Sequence, residues 1–261
     1  MTTENLAQMG AARVVKRVNA AGITVIEKAP VSNVEYAFYH QVAPQLNHAK
    51  IFTPALLAAD ADARALTLEA IPLPVSQESV DCDAIVSMLA RLHRVAPDKK
   101  WRYHMHRWPD AQLEQSLQLL ALPEEAARIM RRCQRGSASL FATAGLISGD
   151  SNAGNWGQRE NGEFVLFDWE RFSTGNPAID LAPLIKGMGS PEAYQRLATR
   201  YCRVNPLSEN DLVRDIALAK AWIVSEVITL LHTRQKADFP RFQHWYRCYL
   251  PDWLKQIETL I

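Results

Sequence analysis

Residues 71–74 (IPLP) divide this chain of 261 residues into two stretches of different character. Two prolines within four residues interrupt helices and central strands alike, so we expect no long regular element to cross this point. Before it, residues 13–18 and 23–28 are predicted to be strands joined by a hairpin turn. After it, apolar residues recur mostly at helical spacing. The pattern predicts an α+β fold with two lobes, a β-rich lobe of residues 1–74 and a mainly helical lobe of residues 75–261.

The remaining strands and helices are predicted from the spacing of apolar residues, which recur at every second position in strands and about every 3.6 positions in helices. Ser32 is a candidate helix cap, and three helices are expected from Pro191 to the end of the chain. The other predicted strands are 54–59, 64–70, 146–147 and 163–168, and the other predicted helices are 80–93, 110–122 and 123–142.

Composition narrows the classes of function. The chain carries 29 Lys plus Arg against 28 Asp plus Glu, so its net charge of +1 gives no electrostatic reason to expect a nucleic-acid or membrane partner. The start of the chain has no apolar run typical of a signal peptide, and no apolar stretch has the ~18 residues of a membrane span. Four cysteines far apart in sequence indicate reduced thiols rather than a zinc site or a disulfide framework. We therefore expect a cytoplasmic protein.

Three polar residues in a short, turn-rich region point to chemistry. Asp150 and Asn155 lie five residues apart within residues 147–156 (ISGDSNAGNW), and Asp168 follows an apolar strand thirteen residues after Asn155. Phosphoryl transfer needs a carboxylate that orients the attacking hydroxyl, together with a second carboxylate and an amide oxygen that hold Mg²⁺. On its own, an Asp-x4-Asn pattern is more often a loop with Asx turns, so the joint order of the three residues carries the hypothesis.

These residues belong to a longer pattern that resembles the aminoglycoside phosphotransferase and choline kinase family, a branch of the protein-kinase-like fold. The family's catalytic loop is H-G-D-x-x-x-x-N, and residues 148–155 read SGDSNAGN. Residues 167–170 (FDWE) match its hydrophobic-Asp-aromatic-Glu segment, and residues 175–182 (GNPAIDLA) match its G-x-P-x-x-D-L-A segment. The resemblance implies a two-lobed kinase-like fold and transfer of phosphate from ATP to an alcohol.

The resemblance also implies roles for single residues. Asp150 would be the catalytic base, whereas Asn155 and Asp168 would bind Mg²⁺. Lys28 would contact the phosphates of ATP, and Glu35 would hold Lys28 in place. Glu35 has a second interpretation, because Ser32-x-x-Glu35 is also a capping box.

Two further roles concern the hinge and the mainly helical lobe. Glu69, Ala70 and Ile71 would form the hinge whose backbone meets adenine. Asp180 would be structural.

The chain departs from the family's pattern at two places. Ser148 replaces the family's histidine, for which we expect a tuning effect on activity. Gly10 is the single glycine before the strand at Arg13, where a full strand, glycine-rich loop and second strand hardly fit. We therefore expect a trimmed upper lobe.

The acceptor is predicted to be a small alcohol that also carries a positive charge, which Glu170 and Glu226 would attract. The aromatic residues of the last helices are mostly expected in the core, with a minority left to line the acceptor pocket. Two alternatives stay open. One is a nucleotide-binding regulator that has lost catalysis, and the other is a helical interaction module without activity.

Overall fold

The computed structural model describes residues 4–5 and 12–261. Packing divides the chain into two units. The first unit comprises Met1–Met105 and Leu146–Ser173, and the second unit comprises His106–Gly145 and Thr174–Ile261. The sequence predicted lobes by their content of strands and helices, whereas these units are defined by packing. The boundary after residue 74 therefore stays a prediction.

A five-stranded antiparallel sheet forms the start of the first unit, in the order β1-β2-β3-β5-β4. β-Branched side chains favour β2 and β3, and the predicted hairpin is confirmed by full pairing from Arg13 opposite Ala29 to Val18 opposite Thr24. The strands are β1 Glu4–Asn5, β2 Arg13–Val18, β3 Thr24–Ala29, β4 Leu56–Asp60 and β5 Ala65–Glu69.

A strand of only two residues precedes Arg13, which is shorter than the full strand for which the sequence left little room. Strand β1 pairs with β2, with Asn5 opposite Val15. Gly10 and the rest of the segment that connects these strands lie outside the described residues.

Between β3 and β4 the chain forms one helical run with three parts. Helix α1 (Asn33–Ala37) leads into a π-helical turn (Phe38–Val42) and then into α2 (Ala43–His48). The predicted start is confirmed, since the Ser32 hydroxyl accepts a hydrogen bond from the Glu35 amide at 3.0 Å. A π-helical turn within a helix is frequent at functional sites.

The first unit also contains helix α3 (Asp83–His93) and a three-stranded sheet in the order β6-β8-β9. Strand β6 (Leu73–Pro74) was not predicted, but no long element crosses residues 71–74, as expected. It is an edge strand of two residues, and a proline at an edge removes no central hydrogen bond. Strand β9 (Phe164–Leu166) lies within the predicted strand 163–168, and it forms a hairpin with β8 (Trp156–Gln158), which was not predicted.

Helices make up most of the second unit. The predicted helix 123–142 ends earlier, at Gly136, and continues as a 3-10 turn over Ser137–Phe141. Two short strands, β7 (Gly145–Ile147) and β10 (Ser173–Gly175), lie where the chain passes between units. The helices are α4 Asp110–Leu120, α5 Glu124–Gly136, α6 Ala178–Leu181, α7 Pro191–Cys202, α8 Glu209–Thr233 and α9 Phe239–Ile257.

Helix α8 forms the core of the second unit. It packs against α4, α5, α6, α7 and α9. By length and composition α8 could cross a membrane, yet 67% of its most apolar stretch is buried, as in the core helix of a globular unit. Lys220, which interrupts its apolar pattern, is buried, and its ammonium donates to the carbonyls of Ile185 and Gly187 at 2.7 Å each. Burial lowers the pKa of Lys220 to about 7.

Candidate active site

Lys28 lies between two carboxylates in the first unit. Its Nζ atom is 2.8 Å from Oε1 and 2.7 Å from Oε2 of Glu35, and 2.6 Å from Oδ1 of Asp168. Lys28 and Glu35 are buried, whereas the side chain of Asp168 is 32% exposed. The structure thus places Lys28 and Glu35, predicted as partners, beside Asp168, whose carboxylate remains partly open to solvent.

The cap of α1 explains how Glu35 reaches Lys28. The backbone amide of Glu35 takes the Ser32 cap, which leaves its carboxylate available for Lys28. The Ser32 cap is therefore present, whereas the Glu35 carboxylate bonds to Lys28 rather than back to the Ser32 amide, so only half of a capping box forms. One turn later Phe38 stacks on Trp169 with ring centroids 4.2 Å apart, which ties the helix of Glu35 to the segment of Asp168.

The backbone of Asp168 has an unusual conformation. Its φ of 63° and ψ of 66° lie in the left-handed region, which few residues other than glycine adopt. Such residues concentrate at functional sites, where the surrounding structure holds them in place. Trp169 is fully buried, and its indole donates to the Leu166 carbonyl at 2.9 Å, so packing on both sides fixes the direction of the Asp168 carboxylate.

Local hydrogen bonds shape the loop of Asp150. Gly149 has a φ of 79°, a conformation for which glycine is suited, and the Ser148 hydroxyl accepts a hydrogen bond from the Asp150 amide at 3.3 Å. The Asn152 side chain donates to Oδ1 of Asp150 at 2.6 Å. The side-chain NH₂ of Asn155 donates to the Asp150 carbonyl at 2.9 Å, while its Oδ1 atom has no hydrogen bond among the described residues.

Burial raises the pKa of Asp150. The guanidinium of Arg171 and the hydrogen bond from Asn152 oppose this rise, and the charge of Asp168 adds to it. Arg171 also donates through Nε to the Gly149 carbonyl at 3.0 Å. Sequence reasoning missed Arg171 and Asn152, because an arginine and an asparagine in a polar loop carry no distinctive pattern.

The pKa of Glu35 is raised to about 7, mainly because the carboxyl is buried. Lys28 lowers this pKa, whereas the charges of Asp168 and Glu170 raise it further. The buried hydroxyl of Tyr39 has no hydrogen-bond partner within the described part of the chain. Burial, together with the charges of Glu35 and Asp168, raises the pKa of Tyr39 well above its usual value.

The oxygens at this site suit a divalent cation. One carboxylate oxygen from each of Glu35, Asp168 and Glu170 can lie within 4.8 Å of the others. Asn155 offers an amide oxygen, as described above. Carboxylate and amide oxygens are the ligands that Mg²⁺ prefers, so the residues present fit such an ion. Glu170, predicted near the acceptor, lies beside these carboxylates, and its contact with the acceptor stays a prediction.

The predicted hinge begins at the last residue of β5 and continues beyond the strand. Glu69 ends this strand, and its side chain accepts hydrogen bonds from Arg159 at 2.8 and 2.7 Å. These bonds, partly offset by burial, hold the pKa of Glu69 below its usual value. Ile71 packs against Gly157 of β8 so closely that a Cβ atom there would lie 2.6 Å from the Ile71 Cγ2 atom.

The other predicted residues lie in the second unit. Glu226 is half-buried on α8, and Asp180 is fully buried on α6. Most of the aromatic residues expected in the core are buried there, although Tyr249 is 57% exposed. Trp245 and Tyr249 help to line a cavity of about 350 Å³, together with the exposed carboxylate of Asp252.

Comparison with known proteins gives a family and a fold for the chain. A family model described as "Phosphotransferase enzyme family" matches residues 10–212, well over half of the chain. No curated protein sequence matches the chain.

Solved structures show the same fold at low sequence identity. The choline kinase LicA from Streptococcus pneumoniae is 15% identical with a TM-score of 0.63, over 97% of this chain and 94% of that one. The amicoumacin kinase hAmiN in complex with AMP-PNP, Ca²⁺ and its antibiotic is 16% identical with a TM-score of 0.63, over 96% and 88%. The APH(2″)-IIa–gentamicin complex is 15% identical with a TM-score of 0.63, over 95% and 91%.

Proposed function

Because the chain belongs to the phosphotransferase enzyme family, we propose that it transfers the γ-phosphoryl group of ATP to a hydroxyl group of a small cationic alcohol. The family and its kinase-like α+β fold confirm the resemblance that the sequence predicted. The observation that carries the finer proposal is the proximity of Lys28, Glu35 and Asp168 within hydrogen-bonding distance.

Asp150 acts as the general base in this proposal. Its carboxylate orients the acceptor hydroxyl and takes the proton as the hydroxyl oxygen attacks the γ-phosphorus. The bond from this phosphorus to the oxygen that bridges to the β-phosphate breaks, and ADP leaves. A base is more effective when its pKa approaches the working pH, so the raised pKa of Asp150 favours this role.

Lys28 and the hinge position the nucleotide. An ammonium group has three donors, of which Lys28 directs two toward Glu35 and Asp168, so the third can bind a phosphate oxygen. The backbone of Glu69, Ala70 and Ile71 is proposed to contact adenine.

Asp168 and Asn155 are proposed to hold Mg²⁺, with Glu170 close enough to add a carboxylate. The bound ion would neutralise charge on the phosphates. The solved complex of hAmiN with AMP-PNP and Ca²⁺ supports nucleotide and cation binding in this fold.

A positively charged acceptor is supported by two observations. The neighbours of this fold include a choline kinase and a gentamicin complex, and both small molecules are cations. In addition, Asp150 and Glu170 place negative charge in the first unit, and carboxylates attract an ammonium group strongly where water is scarce. Glu226 of the second unit is a further candidate contact.

The test is ADP release over a panel of cationic alcohols, neutral sugars and nucleosides at equal concentration. We expect turnover with cationic alcohols and at least about a hundredfold loss for Asp150→Asn, because base catalysis contributes roughly 10²–10⁴-fold. Asp62→Asn, the same change at an exposed carboxylate, is the matched control. Activity confined to neutral acceptors would refute the cationic substrate, and so would an unchanged KM for a cationic acceptor in both Glu170→Gln and Glu226→Gln.

A further inference from the structure

Arg159 joins three segments of the first unit through its guanidinium group. Its Nε and Nη2 atoms donate to the two carboxylate oxygens of Glu69 at 2.8 and 2.7 Å, a bidentate arrangement. Nη1 donates to Glu163 at 3.1 Å and Nη2 to the Thr53 carbonyl at 3.3 Å. The guanidinium also lies over the Phe52 ring, 5.9 Å from its centroid. One side chain therefore connects the end of β5, the β8–β9 hairpin and the segment before β4.

Two different contacts hold the two ends of the proposed hinge. Arg159 holds Glu69, where β5 ends, and the pairing of β6 with β8 holds residues 73–74. Between these points Ile71 rests on Gly157, at a distance that leaves no room for a side chain on β8. The hinge backbone thus has its position set by the β8–β9 hairpin.

The β8–β9 hairpin also carries the two proposed magnesium ligands. Asn155 directly precedes β8, and Asp168 follows β9 by two residues. The Phe167 amide donates to the Asn155 carbonyl at 3.0 Å, which closes the hairpin beside both ligands. Any contact that ties the hinge to this hairpin therefore also sets the hinge's distance from the metal ligands.

We infer that Arg159 is a positioning residue that fixes the distance between the adenine-binding backbone and the magnesium-binding side chains, so that one nucleotide can contact both. The inference rests on the proposed nucleotide site. An ATP–magnesium complex must contact the hinge backbone and the magnesium ligands at the same time, so its binding depends on the distance between them. AMP reaches the hinge but lacks the β- and γ-phosphates, so its binding depends much less on this distance.

Calorimetric binding of AMP and of ATP with magnesium tests this role directly. For Arg159→Gln we expect the Kd of ATP with magnesium to rise about tenfold, or about 1.4 kcal/mol, and the Kd of AMP to rise less than about threefold. Glu69→Gln should raise the Kd of ATP with magnesium by a similar factor. The double variant should be no weaker than Arg159→Gln alone, because residues that act through each other are not additive.

Two further variants keep the test decisive. Arg131 makes the same bidentate contact with Glu114, at 2.9 and 3.0 Å, on the exposed surface of the second unit, and Arg131→Gln should leave both Kd values unchanged. If Arg159→Gln fails to fold, Arg159→Lys keeps the charge but cannot form two parallel bonds, and it should show the same selective loss.

Several results would overturn the inference. They are an equal rise in the Kd values of AMP and of ATP with magnesium, no rise in either Kd, or additive losses of ATP affinity in the double variant. A parent protein that binds neither nucleotide would overturn it together with the proposed function. A parent that binds nucleotide but phosphorylates no acceptor would contradict the proposed reaction, and the binding comparison would still decide the role of Arg159.

Discussion

Replacing Lys28 with methionine removes the positive charge next to Glu35 and keeps a side chain of similar length. Glu35 is buried, and its pKa of about 7 already includes the opposing effect of Lys28. Without Lys28 the carboxyl loses this opposing effect, so its pKa rises further. We therefore expect Glu35 to stay protonated in the folded variant up to about pH 8.5.

The size of the effect follows from proton linkage. A carboxyl whose pKa is raised by folding binds more protons in the folded state, so stability falls as pH rises from its unfolded pKa to its folded pKa. In the parent protein this fall ends near pH 7, and in Lys28→Met it continues. Each unit of pKa shift corresponds to 1.36 kcal/mol, and the pKa rises from about 7 to about 8.5. The deficit in free energy of unfolding of the variant relative to the parent should therefore be about 2 kcal/mol larger at pH 8.5 than at pH 6.

Urea unfolding at the two pH values measures this difference in the free energy of unfolding. Lys255→Met is the matched control, because Lys255 and Glu125 form a pair in which both side chains are 56% exposed. We expect a loss there of about 1 kcal/mol or less at either pH. Adding Glu35→Gln to Lys28→Met should remove the extra pH dependence. An equal loss for Lys28→Met at both pH values, or a larger one at pH 6, would refute the reasoning.

Three other substitutions have definite expected results. Asp168→Asn should abolish the extra thermal stabilisation that magnesium adds to ATP binding, since a charged ligand is lost; an unchanged magnesium dependence would place the ion elsewhere. Ser148→His should change kcat by less than about tenfold, because the residue supports the loop without touching a reacting atom; complete loss of activity would reveal a direct role. Gly157→Ala should destabilise the protein by about 1–3 kcal/mol in urea, because its Cβ would lie 2.6 Å from Ile71. Gly136→Ala, whose nearest contact is 3.4 Å, should cost less, and the reverse order would contradict the packing argument.

Local patterns in the sequence predicted much of the fold. Runs rich in β-branched residues predicted β2 and β3, and the Ser32 cap marked the start of α1. The grouping of Asp150, Asn155 and Asp168 could be predicted because these residues lie close in sequence and are separated only by a short hairpin. The structure places Lys28 against Asp168, 140 residues away, a contact that was not predicted. The resemblance implied only that Lys28 contacts the phosphates of ATP and that Asp168 binds Mg²⁺.

Other features depend on contacts between distant residues and leave little local trace. Arg159 reads as a solvent-exposed charge in a polar turn, and its partner Glu69 lies 90 residues earlier. The stack of Phe38 on Trp169 is equally invisible, because each ring alone is typical of a core residue. The strand of residues 73–74 was missed since proline argues against a strand unless its edge position is known.

Mass spectrometry of the acceptor after incubation with ATP and magnesium tests the proposed phosphoryl transfer directly. We expect a phosphate ester on the acceptor hydroxyl, formed in one-to-one ratio with ADP, and its loss in Asp150→Asn but not in Asp62→Asn. ADP formed without a phosphorylated acceptor, or product formed by Asp150→Asn at the rate of the parent protein, would contradict the proposed reaction.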